Sequence, residues 1–425
     1  MSPAPGAEPT PSKVGVRVIL SDPAVRIVIL IIFVVMLGYG IVAPILPLYA
    51  RSFGVGYSAA GLLISAFAFA RLVTDPFSGP VVDRFGERRC AAAGVAIVGI
   101  SSILTGLAPT FVLAVVARGA GGGGSALLFT ALTSYLLKIV PKDRMARTLS
   151  LFYGAFNVGV IAGSPVGGLI ANRLGLAAPL FVYAGLLFAS GLLYMRLVRD
   201  PVSEGSNDDE TADEPEQHRF GALFRRPGFV TTLFLNFAYL WMIAAVYDTL
   251  VPLFGHDHLG MSTLGIGAVF AVALATELLV LYPAGAAADR RGRRFVMIPS
   301  MAGLALIVAA LGFSPNALSF GVLMAVLGIG SGYAGVPPGA MLSDVVPTGR
   351  SGTAVGVFRF AGDLGLVLGP LVAGGAVTAF GFVPAFWVVA IPIAIGLVLA
   401  IRTPETLQRH AAPGVPTTQH RVGTE

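Results

Sequence analysis

In this chain of 425 residues charged side chains make up 12% and apolar ones 55%. Soluble domains carry roughly 25% charge, and a soluble chain of this size could not hide so much apolar surface, because accessible area still rises steeply with mass. The net charge of +6 comes without a basic patch interleaved with aromatic residues, which argues against nucleic acid. The single cysteine, Cys90, excludes an intramolecular disulfide framework, and no Cys/His cluster has metal-ligand spacing, so no cofactor or metal is expected.

Residues 1–26 are polar and Pro-rich and read as a tail. The apolar run that follows is too long for a signal peptide, and Gly38-Tyr39-Gly40 and two prolines interrupt it, so it reads as a retained first span. Eleven more apolar runs follow, of the length that crosses a ~30 Å hydrocarbon layer. The twelve fall at 27–49, 58–81, 90–108, 111–138, 148–172, 178–197, 229–254, 263–287, 295–313, 317–345, 352–376 and 384–402. Connections are short except at 198–228, where Glu204, Asp208, Asp209, Glu210, Asp213, Glu214 and Glu216 predict a disordered linker. The expectation is an all-α polytopic membrane protein with twelve transmembrane helices in two pseudo-symmetric six-helix bundles. The bundles cover 27–197 and 229–402, and 403–425 forms a second tail.

Basic residues set the expected orientation. With the first tail inside, only Arg51 and Arg173 of the 28 Lys and Arg fall outside, and Arg71, Arg118 and Arg359 lie within spans. The positive-inside rule therefore places both tails and the linker in the cytoplasm, in an inner (plasma) membrane.

One eleven-residue stretch occurs twice, at Gly79-Pro-Val-Val-Asp83-Arg84-Phe-Gly86-Glu87-Arg88-Arg89 and at Gly285-Ala-Ala-Ala-Asp289-Arg290-Arg291-Gly292-Arg293-Arg294-Phe295. Asp83 and Asp289 stand 206 residues apart, and the same offset relates Gly122 to Gly328, Gly159 to Gly365, Gly163 to Gly369 and Pro141 to Pro347. A constant offset over spaced motifs indicates two equivalent halves, a known transporter plan in which the halves rock around a midplane site.

These motifs resemble the major facilitator superfamily, and more narrowly its twelve-helix drug:proton antiporter-like exporters, over residues 27–402. The loop signature matches both copies, with Glu87 in place of a basic residue in the first. Arg118-x-x-x-Gly122-x-Gly124 matches the fourth-helix signature. Gly159-x-x-x-Gly163-Ser164-Pro165-Val-Gly167-Gly168 is similar to the fifth-helix signature of antiporters, with its proline displaced by one position. The resemblance implies proton-coupled efflux of small amphipathic or hydrophobic compounds by a monomer. It also implies that Arg118 helps proton transfer, and that Gly159, Gly163, Pro165, Gly369 and Pro370 form bends that limit leakage. Tight helix packing is the simpler account of those glycines and prolines.

The repeated stretch has a mechanical reading. Asp83 lies just past the second helix and could meet the start of the eleventh, near Ser351–Gly352, whose positive end favours a carboxylate. Gly79, Asp83, Arg84, Gly86, Arg88, Asp289, Arg290 and Gly292 would then compose a cytoplasmic latch, the first copy being the expected holder. A tight turn with topology-setting arginines explains the same residues.

Ionisable groups inside spans are costly and usually functional; here they are Arg71, Asp75, Arg118, Asp248, Glu277, Arg359 and Asp363. Arg71 with Asp75 and Arg359 with Asp363 could each neutralise along one helix. Counting depth from Asp83 at ~1.5 Å per residue instead sets Arg71 level with Asp363 and Asp75 level with Arg359, a four-charge cluster between halves. The same count sets Glu277 level with Asn157, with no basic residue at i±3 or i±4. A carboxyl without a basic partner in low dielectric holds a proton readily. Glu277 is thus the first candidate for proton coupling, with Asp248 and Asp363 next; a permanent hydrogen bond to a neighbouring helix is the structural alternative. Arg118 has Met324 as its counterpart, so it serves one half only. Tyr39, Phe67, Phe129, Tyr153, Phe156, Tyr239, Trp241, Tyr247 and Phe358 are the candidate cavity residues. No phosphate loop or Ser/His/Asp arrangement supports an enzyme, and the functional alternative is an uptake symporter for a sugar, organic acid or other metabolite.

Overall fold

The computed structural model describes residues 20–198, 224, 227–346 and 351–407, so most of the expected linker and both tails lie outside the described residues. No strand occurs among the described residues, and twelve helices are long and apolar enough to cross a membrane. The second span is Tyr57–Phe85, the third Glu87–Gly106, the fourth Phe111–Ile139, the fifth Lys142–Leu174 and the sixth Ala178–Leu197. The eighth is Thr263–Arg291, the ninth Arg293–Leu311, the eleventh Ser351–Phe380 and the twelfth Phe382–Arg402. Several hold 29 residues, about 44 Å at 1.5 Å per residue, so their ends project beyond a ~30 Å hydrocarbon layer.

Three spans are interrupted, each beside proline. The first breaks between Pro23–Val42 and Leu46–Arg51 around Pro44, and the tenth between Ala317–Gly335 and Pro337–Val345. The seventh runs as an α-helix over Pro227–Met242, widens into a π-helix over Ile243–Leu250, and resumes as Val251–Asp257. Pro252 offers no N–H to close a tight turn there. Pro165 and Pro370, by contrast, lie inside unbroken helices.

Packing repeats between the halves. The first span packs on the fifth, the second on the fourth, and the third on the sixth. The seventh packs on the eleventh, the eighth on the tenth, and the ninth on the twelfth in the same way. Gly122 fits against the backbone of Phe67 and Arg71, and Gly328 against that of Ala273, where a Cβ would collide.

The halves meet along two seams, second with eleventh and fifth with eighth. Gly61 lies against the Pro370 carbonyl and Gly374 against that of Tyr57, while Gly267 lies against Ser164 and Gly168 against Thr263. Ser58 and Thr378 hydroxyls lie 2.9 Å apart, and Ser65 donates to Val367 O at 2.6 Å. Steps along the second span are thus matched by nearly equal steps back along the eleventh. Toward the end carrying Asp83 and Asp289 the seam parts: Gly79 and Gly356, facing positions in that register, both have open space around them. The bundle is closed at one end and open at the end that carries the repeated stretch.

Candidate functional site

The opening leads to a cavity of about 360 Å³ between the halves, within the range of small-molecule pockets. Its walls are mainly apolar and aromatic, and Tyr39, Phe67, Phe129, Phe156, Tyr239 and Tyr247 all line it. Phe129 and Phe156 pack on each other at 6.1 Å between ring centroids. The polar exceptions include Arg71, Arg118, Asn157, Asp248 and Glu277. The other three aromatic candidates lie elsewhere, which corrects the sequence reading. Trp241 is buried in its own half, where Nε1 donates to Val389 O at 3.0 Å. Tyr153 is on the surface, and Phe358 packs with Phe229, Leu233, Leu342 and Ala354. Aromatic spacing alone does not tell a helix's cavity face from its packed face.

Two acidic groups face the cavity. Glu277 Oε1 accepts a hydrogen bond from the Tyr239 hydroxyl at 2.8 Å, while Oε2 is buried with no hydrogen-bond partner among the described residues. Glu277 therefore has a neutral donor from the seventh span and an unfilled position on its second oxygen. Asp248 sits on the π-helical turn and lines the cavity with Tyr39 and Arg118. The Arg118 guanidinium lies 4.3 Å from the Phe67 ring centre. Its Nε and Nη1 are buried without hydrogen-bond partners among the described residues. Those atoms do not cap backbone carbonyls.

The charged pairs form across the seam, not along each helix. Arg71 pairs with Asp363, and Arg359 Nη2 lies 3.6 Å from Asp75 Oδ2. The Asp363 side chain is 9% exposed and that of Arg359 is 61% exposed, so the first pair is interior and the second is at the edge of the opening.

The contact expected between Asp83 and the start of the eleventh span is not seen among the described residues. Asp83 is exposed and makes no hydrogen bond or ion pair among the described residues. Nothing among the described residues packs on Gly79, and the side chain of Ser351 lies outside them. Arg84 lies over Phe85, and Arg290 is exposed. Gly86 and Gly292 make the turns with φ of 84° and 112°, backbone that suits glycine. Arg88 donates to Met195 O at the end of the sixth span, and Arg294 to Ile401 O at the end of the twelfth at 2.7 Å. Arg88 thus caps a helix in its own half, as basic residues do at helix C-termini. Asp289 pairs with Arg293. The bend residues are packing residues: Gly159 and Gly163 seat the first span, Gly369 the seventh, and Pro165 and Pro370 the seams.

Sequence reasoning missed the π-helical turn and the Tyr239 donor. The glycine contacts show where the first arises. Gly163 contacts Leu37 and Ile41, and its counterpart Gly369 contacts Trp241 and Ala245, an offset of 204. By Tyr57 and Thr263 the offset is 206, so two residues are gained in between. The widened turns at Ile243–Leu250 are where a helix takes up such residues, often at functional sites.

The family model described as Major Facilitator Superfamily matches residues 28–280 and 257–422. Multidrug resistance protein 2 of Bacillus subtilis is 24% identical over 260 residues, 59% of this chain and 62% of that protein. The chain thus spans less than two thirds of that relative. An uncharacterized MFS-type transporter of Methanocaldococcus jannaschii is 24% identical over 379 residues, 87% of this chain and 95% of that one. A bacterial homolog to the human lysosomal transporter Spinster, solved in an inward-facing and occupied conformation, gives a TM-score of 0.74 at 15% identity. That alignment covers 89% of this chain and 95% of the other. A D-xylose-proton symporter gives 0.71 at 18%, covering 90% and 99%. At such identities the solved structures speak for the fold alone.

Proposed function

The chain belongs to the Major Facilitator Superfamily and is a multi-pass membrane transporter, not an enzyme, and we propose that it exports small amphipathic or hydrophobic compounds in exchange for protons. The observation that carries this reading is Glu277, an acidic group in a largely apolar cavity whose only hydrogen-bond partner among the described residues is a neutral hydroxyl. A carboxyl so placed can exchange a proton without breaking an ion pair, whereas Asp363 would have to leave Arg71. Asp248 is the second acidic group of the same cavity, with Arg118 as its electrostatic partner.

Basic residues support placing the open end, with both tails, in the cytoplasm of an inner membrane, so that this conformation faces inward and receives cargo from the cell. The protein acts as a monomer, with lipid, cargo and protons as partners. Few polar groups line the cavity, which favours amphipathic cargo over a sugar or organic acid, and the multidrug resistance relative points the same way. Transport in vesicles with and without an imposed proton gradient tests the reading. An acid outside should drive cargo outward, and Glu277→Gln should abolish gradient-driven transport while the protein still folds. Gradient-driven transport by Glu277→Gln would exclude this residue, and cargo moving with the protons would favour the symporter.

A further inference from the structure

Arg51 and Asp257 meet at the closed end, and the offset of 206 that relates the halves carries one onto the other. The same offset pairs the turns that follow, Gly54 with Gly260, at φ of 76° and 63°. A residue touches its own equivalent only near the axis that relates two copies of one plan, so this contact lies at the centre of the closed end. Identical charges would repel there, but one half carries arginine where the other carries aspartate. The offset also relates the pair Glu87–Lys138 to Arg293–Asp344 with reversed polarity, yet each of those lies within one half. Arg51–Asp257 instead joins the halves, with Nε 3.8 Å from Oδ2. About one turn further in, Leu48 from the first half and Leu253 from the second share a buried apolar cluster.

Each partner also has a holder in its own half. Arg51 Nη1 donates to Val55 O at 2.5 Å, and the guanidinium lies 4.3 Å from the centre of the Tyr57 ring, a cation–π contact. Asp257 Oδ1 lies 2.7 Å from His256 Nδ1. A carboxylate can only accept, so the imidazole donates here whether neutral or charged. When the halves part, neither charge is stranded, which suits a contact that breaks and re-forms.

His256 gives this corner a response to acid. Histidine is the side chain that changes charge between about pH 5 and 8. The His256 side chain is exposed, at the end that faces out of the cell in the reading above. The other charged and titratable groups of the corner are Arg51 from the first span, Tyr57 from the second, and His258, which stacks on Phe254 at 4.7 Å. Residues 262–267 at the start of the eighth span and Phe382 of the twelfth bring none, and Arg173 at the end of the fifth is exposed. With the halves together, a proton on His256 is opposed by Arg51, which shares the same carboxylate. With the halves apart, the imidazolium has Asp257 to itself. The proton therefore binds better when this end is open, and by linkage acid outside favours opening.

We propose that Arg51 and Asp257 form an outer lock and that His256 is its proton sensor: a proton from the external medium shifts the partnership of Asp257 from the other half to its own and releases the closed end. This is a proton site apart from the carboxyls of the cavity. The inference rests on the proton-exchange reading above.

Spin labels at Leu174→Cys and Phe380→Cys, exposed positions at the outer ends of the fifth and eleventh spans, report the closed end in the full-length protein with Cys90→Ser. Asp257→Asn and Arg51→Gln should each raise the open population about twofold to fivefold at neutral pH, the range of a partly exposed pair. The exchange Arg51→Asp with Asp257→Arg should return it to the wild-type value. Acidification is then followed in Glu277→Gln, where that cavity carboxyl cannot contribute. The open population should again rise about twofold to fivefold, and adding His256→Gln, which still donates but takes no charge, should remove the rise. In the exchanged protein acid should favour closure instead, because His256 then faces a negative charge across the mouth. Unchanged populations in the two single variants, or an acid response that survives His256→Gln, overturn the proposal. Should the exchange not fold, those single variants carry the same decision. A wild type without gradient-driven transport in vesicles fails the transport reading whatever the labels report, which distinguishes the two failures.

Discussion

The Arg71–Asp363 pair offers the sharpest test of how the halves are joined. Asp363→Asn keeps the size of the side chain and removes its charge. Removing one partner of a fully buried pair costs about 3–5 kcal/mol. The Arg71 side chain is 27% exposed, and Asp75 one turn away still attracts it, so the expected loss falls to about 2 kcal/mol. Arg71→Gln should cost a similar amount, because it strands Asp363 at 9% exposure. The double variant strands neither charge, so its cost should fall about 1–2 kcal/mol short of the sum. Unfolding in mixed micelles, measured for the two single variants and the double, gives that coupling energy. Additivity within about 0.5 kcal/mol would mean that the pair is not an interaction between the halves at all. The Arg359–Asp75 pair is the internal comparison: with Arg359 at 61% exposure it should couple by no more than about 1 kcal/mol.

Two further outcomes are expected. A methyl group at Gly61 or Gly267 would run into the carbonyl of Pro370 or Ser164, so Gly61→Ala and Gly267→Ala should each weaken the closed end by about 1–3 kcal/mol. That is roughly a fivefold to hundredfold loss of the population closed at this end, read as label distance between Leu174→Cys and Phe380→Cys. Gly185→Ala, with open space around it, should leave the distance alone, and equal effects at all three would refute the seam argument. The second outcome concerns Glu405. Burial pushes its carboxyl up, but the backbone N–H groups of Leu407, Arg293, Arg294 and Thr406 outweigh this and hold it below the usual carboxylate range. A depressed value means the contact stabilises above the unfolded value of ~4.3 and is lost as pH falls through the folded one. Label mobility at Leu407→Cys should therefore stay low at neutral pH in the wild type, rise only in acid, and be high at every pH in Glu405→Gln. Release of the wild type near neutral pH would contradict this.

How much of this was legible in the sequence depended on whether a feature repeats. Asp83 with Asp289 gave a register, and depth counted from it put Arg71 beside Asp363 and Asp75 beside Arg359, because α-helices rise uniformly and the seam is antiparallel. The same count failed wherever a helix departs from uniform rise. The seventh span gains two residues over the first, so the Asp248 face could not be counted from any motif. Trp241 and Phe358 show a second limit, since a twelve-helix bundle has packed, lipid-facing and cavity faces of similar apolarity. Glu87 shows a third. Read alone it was a mismatch to a signature, and only its contact with Lys138 reveals a reversal of Arg293 with Asp344.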